Sequence, residues 1–194
     1  MHILIVYSHP KPDSLTASVA KTLASAIESS PGTHTAEIAD LASEGFDPRF
    51  TQRDIAVQLG QSAQLPEIAA EQRRIDRADA LVLVYPVYWW AFPALLKGWI
   101  DRVFMNGWAY DDRSTPGEVK KLLSLPVHTI AIGGADERTY ARHGYFGAMK
   151  LQINQGIFDY CGARVLTSEL MYESDPLGGL EAVKALVPRI CGQA

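Results

Sequence analysis

The sequence predicts an α/β protein in which helices cover both faces of a doubly wound, five-stranded parallel sheet. Short apolar runs rich in β-branched residues recur along the 194 residues, and amphipathic helical patterns separate them. Strands that alternate with helices in this way form parallel sheets. Five such units fit the strand order 2-1-3-4-5, in which a ligand binds beyond the carboxyl ends of the strands.

The composition excludes several classes of protein. The chain is 47% hydrophobic and 21% charged, with a net charge of -4, so it lacks the basic footprint of a nucleic-acid-binding protein. The apolar run 3–7 is shorter than the roughly 7–15 residues of a signal-peptide core. No run reaches the ~18 apolar residues of a transmembrane helix. We therefore expect a cytoplasmic protein that is not embedded in a membrane.

The first unit is a strand at 2–7 followed by a helix. Its β-branched run is typical of a strand buried on both faces. Apolar residues then recur at every fourth position, as on one face of a helix: Leu15, Val19, Leu23 and Ile27. Asp13 or Ser14 is suited to cap this helix, which ends at 29–32.

The later units follow the same alternation. They are a more exposed strand at 34–39, a helix from Pro66, a buried strand at 80–85, a helix from Pro93, a strand at 127–132, a helix over about 147–160, a strand at 163–170 and a final helix at 179–191. The polar stretch 40–65 has no steady period, and loops of this length are functional or have structure of their own. With no linker or repeat, residues 1–194 are expected to form one domain.

The loop after the first strand has the composition of an anion site. Residues 8–16 join a buried strand to a helix N-terminus, where free N–H groups and the helix dipole favour an anion. Ser14, Thr16 and His9 add donors. The loop contains neither GxxxxGK[ST] nor GxGxxG, which argues against a P-loop or a Rossmann dinucleotide site. The alternative is that Ser14 is an ordinary cap and His9 a surface histidine.

The loop after the third strand is aromatic. Five aromatic residues occur among the eight residues 85–92, at the carboxyl end of a buried strand. Flat apolar walls with backbone polar groups suit a planar, partly polar ring. Alternatively, Trp89, Trp90 and Phe92 bury a dimer contact or cap the core, and both interpretations can hold together.

The loop after the fourth strand begins with paired glycines. Gly133 and Gly134 allow a backbone to approach a ligand closely, although a tight turn is the better explanation of the glycines taken alone. Tyr140 and His143 follow as candidate proton donors. An anion site, an aromatic wall and a glycine pair at neighbouring strand ends together suit a flavin.

At these residues the chain resembles the flavodoxin-like NAD(P)H:quinone oxidoreductases, a family that includes the ancillary reductases of potassium-efflux systems. The resemblance covers nearly the whole chain. Its motifs are Tyr-Ser-His-Pro at 7–10, Pro-Val-Tyr-Trp at 86–89, Leu-Leu-Lys-Gly-Trp-Ile-Asp-Arg-Val-Phe at 95–104, Gly-Trp-Ala-Tyr at 107–110, the glycine pair, and Tyr-Cys-Gly at 160–162.

The resemblance implies a role for each part of the site. The residues implied to hold the flavin phosphate and ribityl chain are His9, Ser14, Leu15 and Thr16. Those implied to line the isoalloxazine ring, with backbone groups at its polar edge, are Pro86, Val87, Tyr88, Trp89 and Trp90. Gly133 and Gly134 would pass the pyrimidine end, and Tyr140 falls near the family's active-site tyrosine. The chain has Phe146 where the animal enzymes have a histidine, and His143 lies three positions earlier.

The implied activity is ping-pong hydride transfer from NADH or NADPH through the flavin to a quinone-like acceptor. FMN is favoured and FAD is possible; Arg138 and Arg142 are candidates to meet a 2′-phosphate. A homodimer is implied, with the apolar helix 93–104 and the loop 106–116 as contacts. Two alternatives remain: a flavin-binding ancillary subunit of a potassium-efflux system and a one-electron flavodoxin-type carrier. No metal is expected, and Cys161 and Cys191 are expected to be reduced thiols.

Overall fold

The computed structural model describes residues 1–112 and 119–192. One sheet of five parallel strands has the order β2-β1-β3-β4-β5, which confirms the predicted fold class. Its strands are β1 His2–Tyr7, β2 Thr35–Asp40, β3 Ala80–Pro86, β4 Pro126–Gly133 and β5 Arg164–Tyr172. The helices are α1 Leu15–Glu28, α2 Gln52–Gln58, α3 Pro66–Asp76, α4 Ala94–Val103, α5 Glu137–His143, α6 Tyr145–Lys150, a π-helix at Leu151–Asp159, α7 Pro176–Ala185 and α8 Val187–Ile190.

The sheet separates two apolar cores. Alternate residues of a strand point to opposite faces, so Ile3 and Ile5 pack under α1, α7 and α8, whereas Leu4 and Val6 face α3 and α4. The central strand β3 is buried at every residue. A strand covered on both faces tolerates no polar position, which explains why its apolar run was readable from the sequence.

Four helical regions differ from the sequence prediction. Helix α2 lies in the stretch 40–65, where no helix was predicted. Helix α5 was not predicted; Asp136 caps it by accepting a hydrogen bond from the Thr139 amide at 2.9 Å. The predicted helix 147–160 begins two residues earlier and continues as a π-helix, in which buried Ile153 and Phe158 are five residues apart. The predicted helix 179–191 is two helices, because α7 starts at Pro176 and Pro188 cannot continue its hydrogen bonding.

The polar stretch 40–65 is attached to α4 by a buried ion pair. Arg102 is 4% exposed and Asp54 is 0% exposed, and Arg102 Nε donates to Asp54 Oδ1 at 2.9 Å. Burial raises the pKa of Asp54, but hydrogen bonds from Thr51 and Arg102 outweigh it and hold that pKa below its usual range. A second Arg102 nitrogen donates to the Asp47 carbonyl oxygen at 2.8 Å.

Gly98 extends this attachment, and Trp99 joins α4 to α3. A Cβ atom on Gly98 would collide with the Pro48 carbonyl oxygen, so only glycine permits this approach of the chain to α4. The Trp99 indole donates to Glu71 at 2.8 Å in the core. The segment 95–104 that carries much of the family resemblance therefore acts mainly in packing.

We predict that Asp54→Ala lowers the free energy of unfolding by about 3–5 kcal/mol, because it leaves the Arg102 guanidinium buried without its carboxylate. The control is Asp101→Ala, which removes an exposed ion pair of 2.6 Å with Lys97 and should cost only about 0.3–0.5 kcal/mol. Urea denaturation of both variants measures the difference. Equal losses would contradict a special role for the buried pair.

His128 predicts a pH dependence of stability. It is fully buried in β4, with Nδ1 2.8 Å from Thr167 Oγ1 and no partner among the described residues for Nε2. Burial, and secondarily the charge of Arg189, lowers the pKa of His128 from 6.5 to about 4. The unfolded chain therefore binds more protons between these values. The stability gained from neutral His128 is complete above the higher value and is lost as the pH falls toward the lower one.

Between about pH 7 and about pH 4.5, His128→Gln should lose less unfolding free energy than the wild type, by about 2 kcal/mol. Denaturation curves at the two pH values measure this loss. His143→Gln is the control, since His143 is exposed and its replacement removes no buried group. The same pH dependence in wild type and His128→Gln would exclude His128 as its source.

Candidate functional site

The three predicted loops leave the sheet at one edge. β1 ends at Tyr7, β3 at Pro86 and β4 at Gly133, and parallel pairing aligns these ends. The amide of Val87 donates to the Ile132 carbonyl oxygen at 2.8 Å, which extends the pairing of β3 and β4 into the loop. The edge therefore brings the candidate site residues into one region.

In the first loop, several hydrogen-bond donors have no acceptor among the described residues. Ser14 is the N-cap of α1 and accepts from the Ala17 amide at 3.1 Å, which confirms its role as a cap. The amides of Leu15 and Thr16 lie in the first turn, and no described residue accepts from them. Ser8 and Thr16 are buried.

His9 presents a defined ring nitrogen. Its Nδ1 accepts from the Lys11 amide at 3.0 Å, so the neutral ring carries its proton on Nε2. That nitrogen is a donor, and no described residue hydrogen-bonds it. The loop thus offers a ring N–H and helix-start amides, a donor set suited to an anion.

The aromatic segment divides into core and exposed parts. Tyr85 and Phe92 are buried, with ring centroids 4.6 Å apart, so neither belongs to an exposed patch. Tyr88 is 47% exposed and Trp89 is 88% exposed, while Trp90 is half-buried. The surface suited to a planar ligand therefore includes only Tyr88, Trp89 and Trp90 of the five aromatic residues at 85–92.

Residues 88–91 form a tight turn, which we call the aromatic turn. The amides of Tyr88 and Ala91 each donate to the other's carbonyl oxygen, at 3.2 and 3.1 Å. Trp89 and Trp90 have φ values of 51° and 56°. A left-handed conformation costs a residue with a side chain about 1–2 kcal/mol, so two adjacent tryptophans there store backbone strain.

The turn also determines which amides remain for a ligand. Pro86 has no N–H, and the Val87 and Tyr88 amides are bonded within the protein. Within residues 86–90, only the amides of Trp89 and Trp90 have no acceptor among the described residues. The predicted backbone contacts at 86–90 therefore reduce, for N–H donors, to two adjacent groups.

Packing inside the protein explains the glycine at position 133. A Cβ atom at this position would lie 2.7 Å from the Tyr140 hydroxyl oxygen, so the glycine makes room for the phenol. Tyr140 is 4% exposed, and burial, with a smaller effect of Tyr172, raises the pKa of its hydroxyl. Gly134 is exposed at the surface of the loop.

Tyr145 is a site residue that sequence reasoning missed. Its ring stacks on Trp90 with centroids 3.8 Å apart and planes at 30°, and it stacks on His143 at 5.0 Å and 21°. It also contacts Tyr140 edge-on at 6.3 Å. The only signal in the sequence was an aromatic residue following Gly144, whose φ of 68° redirects the chain between α5 and α6.

Phe146 lies on another side of α6. Its ring packs under the Lys150 ammonium group at 4.5 Å, and it lines a cavity of about 470 Å³ with Tyr140, Tyr172 and Glu169. The aromatic residue of α6 that reaches the aromatic turn is therefore Tyr145. His143 is exposed and stacks on Tyr145, which in turn stacks on Trp90.

Comparison with known proteins places this edge in context. A family model described as a flavodoxin-like fold matches residues 1–187. The ribosyldihydronicotinamide dehydrogenase [quinone] of Mus musculus is 30% identical over 194 residues, covering 89% of this chain and 82% of the relative. The NAD(P)H oxidoreductase YcaK of Escherichia coli K12 is 34% identical over 145 residues, covering 74% and 69%.

The chain belongs to the flavodoxin-like family of NAD(P)H:quinone oxidoreductases. The NAD(P)H:quinone oxidoreductase of Methanothermobacter marburgensis superimposes with a TM-score of 0.86 at 25% identity, covering 96% of this chain and 97% of that one. The family resemblance predicted from the motifs is thus confirmed. No helix among the described residues is both long and apolar enough to cross a membrane.

The left-handed turn gives a prediction about stability. Trp89→Gly should be more stable than Trp89→Ala by about 1 kcal/mol, because glycine adopts positive φ without the cost that alanine bears. The exposed Leu177 in α7 is the control, since glycine there should be less stable than alanine by about 0.5–1 kcal/mol. Urea denaturation of the four variants gives both differences. The same order at both positions would contradict strain at Trp89.

Proposed function

We propose that this protein is a flavin-dependent oxidoreductase that takes reducing equivalents from NADH or NADPH and reduces quinones or similar flat acceptors. The observation that carries the proposal is the arrangement at the sheet edge, where the free amides of the aromatic turn lie beyond β3 and the donors of the first loop lie beyond β1. The names of the relatives agree with it.

The residues fit a flavin chemically. The Nε2 donor of His9 and the amides of Leu15 and Thr16 would hold its phosphate at the start of α1. The Trp89 and Trp90 amides would meet the polar edge of the ring, and exposed indole surface would cover its apolar part. FMN needs no more than these contacts, so we favour it, with FAD as the other possibility.

A bound flavin would supply the hydride-transfer chemistry between the nicotinamide and the acceptor, in a ping-pong cycle. The protein's part is to orient the ring and to hold protons. A phenol is protonated at neutral pH, and burial raises the pKa of Tyr140 further, so its hydroxyl would act as a hydrogen-bond donor to reduced flavin or substrate oxygen. His143 would act only indirectly, through the ring of Tyr145 on which it stacks.

The nicotinamide substrate and the assembly complete the proposal. Arg138 and Arg142 are exposed on α5 and would meet the 2′-phosphate of NADPH, while NADH would leave them unused.

We also propose a cytoplasmic homodimer. The apolar side chains of α4 are largely buried in the chain's own core. The contribution of α4 to a dimer contact would therefore come from its part of the rim of a cavity of about 380 Å³, which Phe50 and Ile157 also line. Residues 113–116 of the expected contact loop lie outside the described residues.

The decisive measurement is spectroscopic. The purified protein should bind FMN or FAD, identified by mass after release, and NADH or NADPH alone should bleach the flavin band without oxygen. Slow or absent bleaching of a bound flavin would point to a one-electron carrier or an ancillary subunit instead. A protein that binds neither FMN nor FAD would overturn the proposal.

Tyr140→Phe should retain flavin and lower kcat/KM for a quinone at least about 10-fold, because the buried donor is lost. Tyr160→Phe is the control, since that exposed phenol lies at the end of the π-helix and its hydroxyl should not matter. Steady-state assays with a soluble quinone compare the two variants. Full turnover by Tyr140→Phe would remove Tyr140 from the mechanism.

A further inference from the structure

Tyr145 joins α6 to the aromatic turn. Its ring lies on Trp90 with centroids 3.8 Å apart, the shortest ring separation among the aromatic pairs of the described residues. Tyr145 is half-buried and packs against the larger apolar core, where its ring meets the buried Tyr140 edge-on. The contact therefore connects a strained surface turn to a rigid part of the fold.

The aromatic turn has few other supports. Its backbone is closed by the two reciprocal hydrogen bonds between Tyr88 and Ala91. The Trp89 side chain is 88% exposed and contacts mainly its neighbour Trp90, at 5.9 Å. Trp90 is thus the side chain that anchors the turn, and a residue held at positive φ keeps that conformation only when its surroundings favour it.

We propose that Tyr145 is a positioning residue that holds Trp90, and with it the two free amides of the turn, in the geometry required for flavin binding. This inference rests on the proposed flavin-dependent function. Tyr145 acts through the face of its ring, because no described residue hydrogen-bonds its hydroxyl group and the contact with Trp90 is a stack. Loss of the ring should free the turn to leave its left-handed conformation, and loss of the hydroxyl alone should not.

The neighbouring residue provides a matched control. Phe146 is also aromatic and half-buried on α6, but its ring contacts Lys150 and the cavity beside Tyr172. A general disturbance of α6 would affect replacements at both positions. An effect transmitted through Trp90 would appear only at position 145.

The experiment compares Tyr145→Leu, Tyr145→Phe and Phe146→Leu with the wild type. FMN binding to the apoprotein is measured by quenching of flavin fluorescence, with FAD tested in parallel. The near-UV circular dichroism of each apoprotein reports whether the tryptophans remain fixed, and thermal unfolding confirms that each variant is folded. We expect Tyr145→Leu to raise the Kd of FMN about 3–10-fold, as for loss of one aromatic pair, and to weaken the tryptophan dichroism.

Tyr145→Phe and Phe146→Leu should both stay within about 2-fold of the wild-type Kd, which is less than one aromatic pair contributes. Equal effects of Tyr145→Leu and Phe146→Leu would overturn the inference, and so would equal effects of Tyr145→Leu and Tyr145→Phe. If the wild type binds no flavin, the proposed function fails. The dichroism of the apoproteins then still decides whether Tyr145 holds the turn.

Discussion

The candidate site depends on the backbone pairing of β3 with β1 and β4. β3 is buried along its whole length, and its register aligns Val84 with Tyr7 and Pro86 with Ile132. The amide of Val87 continues this pairing one residue beyond the strand. Because of these bonds, three loops that are far apart in sequence begin at the same edge of the sheet.

The aromatic turn is where this rigid edge stores strain. Two adjacent tryptophans in the left-handed region are unfavourable in isolation, and turns of this kind ordinarily use asparagine or glycine. Their use here directs two amides and an exposed indole outward from a buried strand. The stack of Trp90 on Tyr145 and the closure of the turn by Tyr88 and Ala91 oppose that strain. The same left-handed conformation therefore leaves the two amides without an acceptor and makes the turn costly to maintain.

The segment most similar to the family serves the fold more than the chemistry. Gly98 and Arg102 hold the polar stretch 40–65 against α4 through close packing and a buried ion pair, and Trp99 joins α4 to α3 through an indole hydrogen bond. Such contacts require particular residue types at particular positions, as catalysis does. A long matching motif can therefore identify a family while contributing little to its active site.

The sequence by itself predicted the strand order, the sheet edge at which we place the ligand, and a helix cap at Asp13 or Ser14, because burial periodicity and capping are local properties of the chain. It also identified Tyr140 and the tryptophans as residues of that edge. Only the tertiary structure decided that Tyr85 and Phe92 belong to the core, that Gly133 makes room for Tyr140, and that Tyr145 rather than Phe146 reaches the turn. These outcomes depend on the rotation of α6 after Gly144 and on contacts between distant segments, which no local pattern encodes.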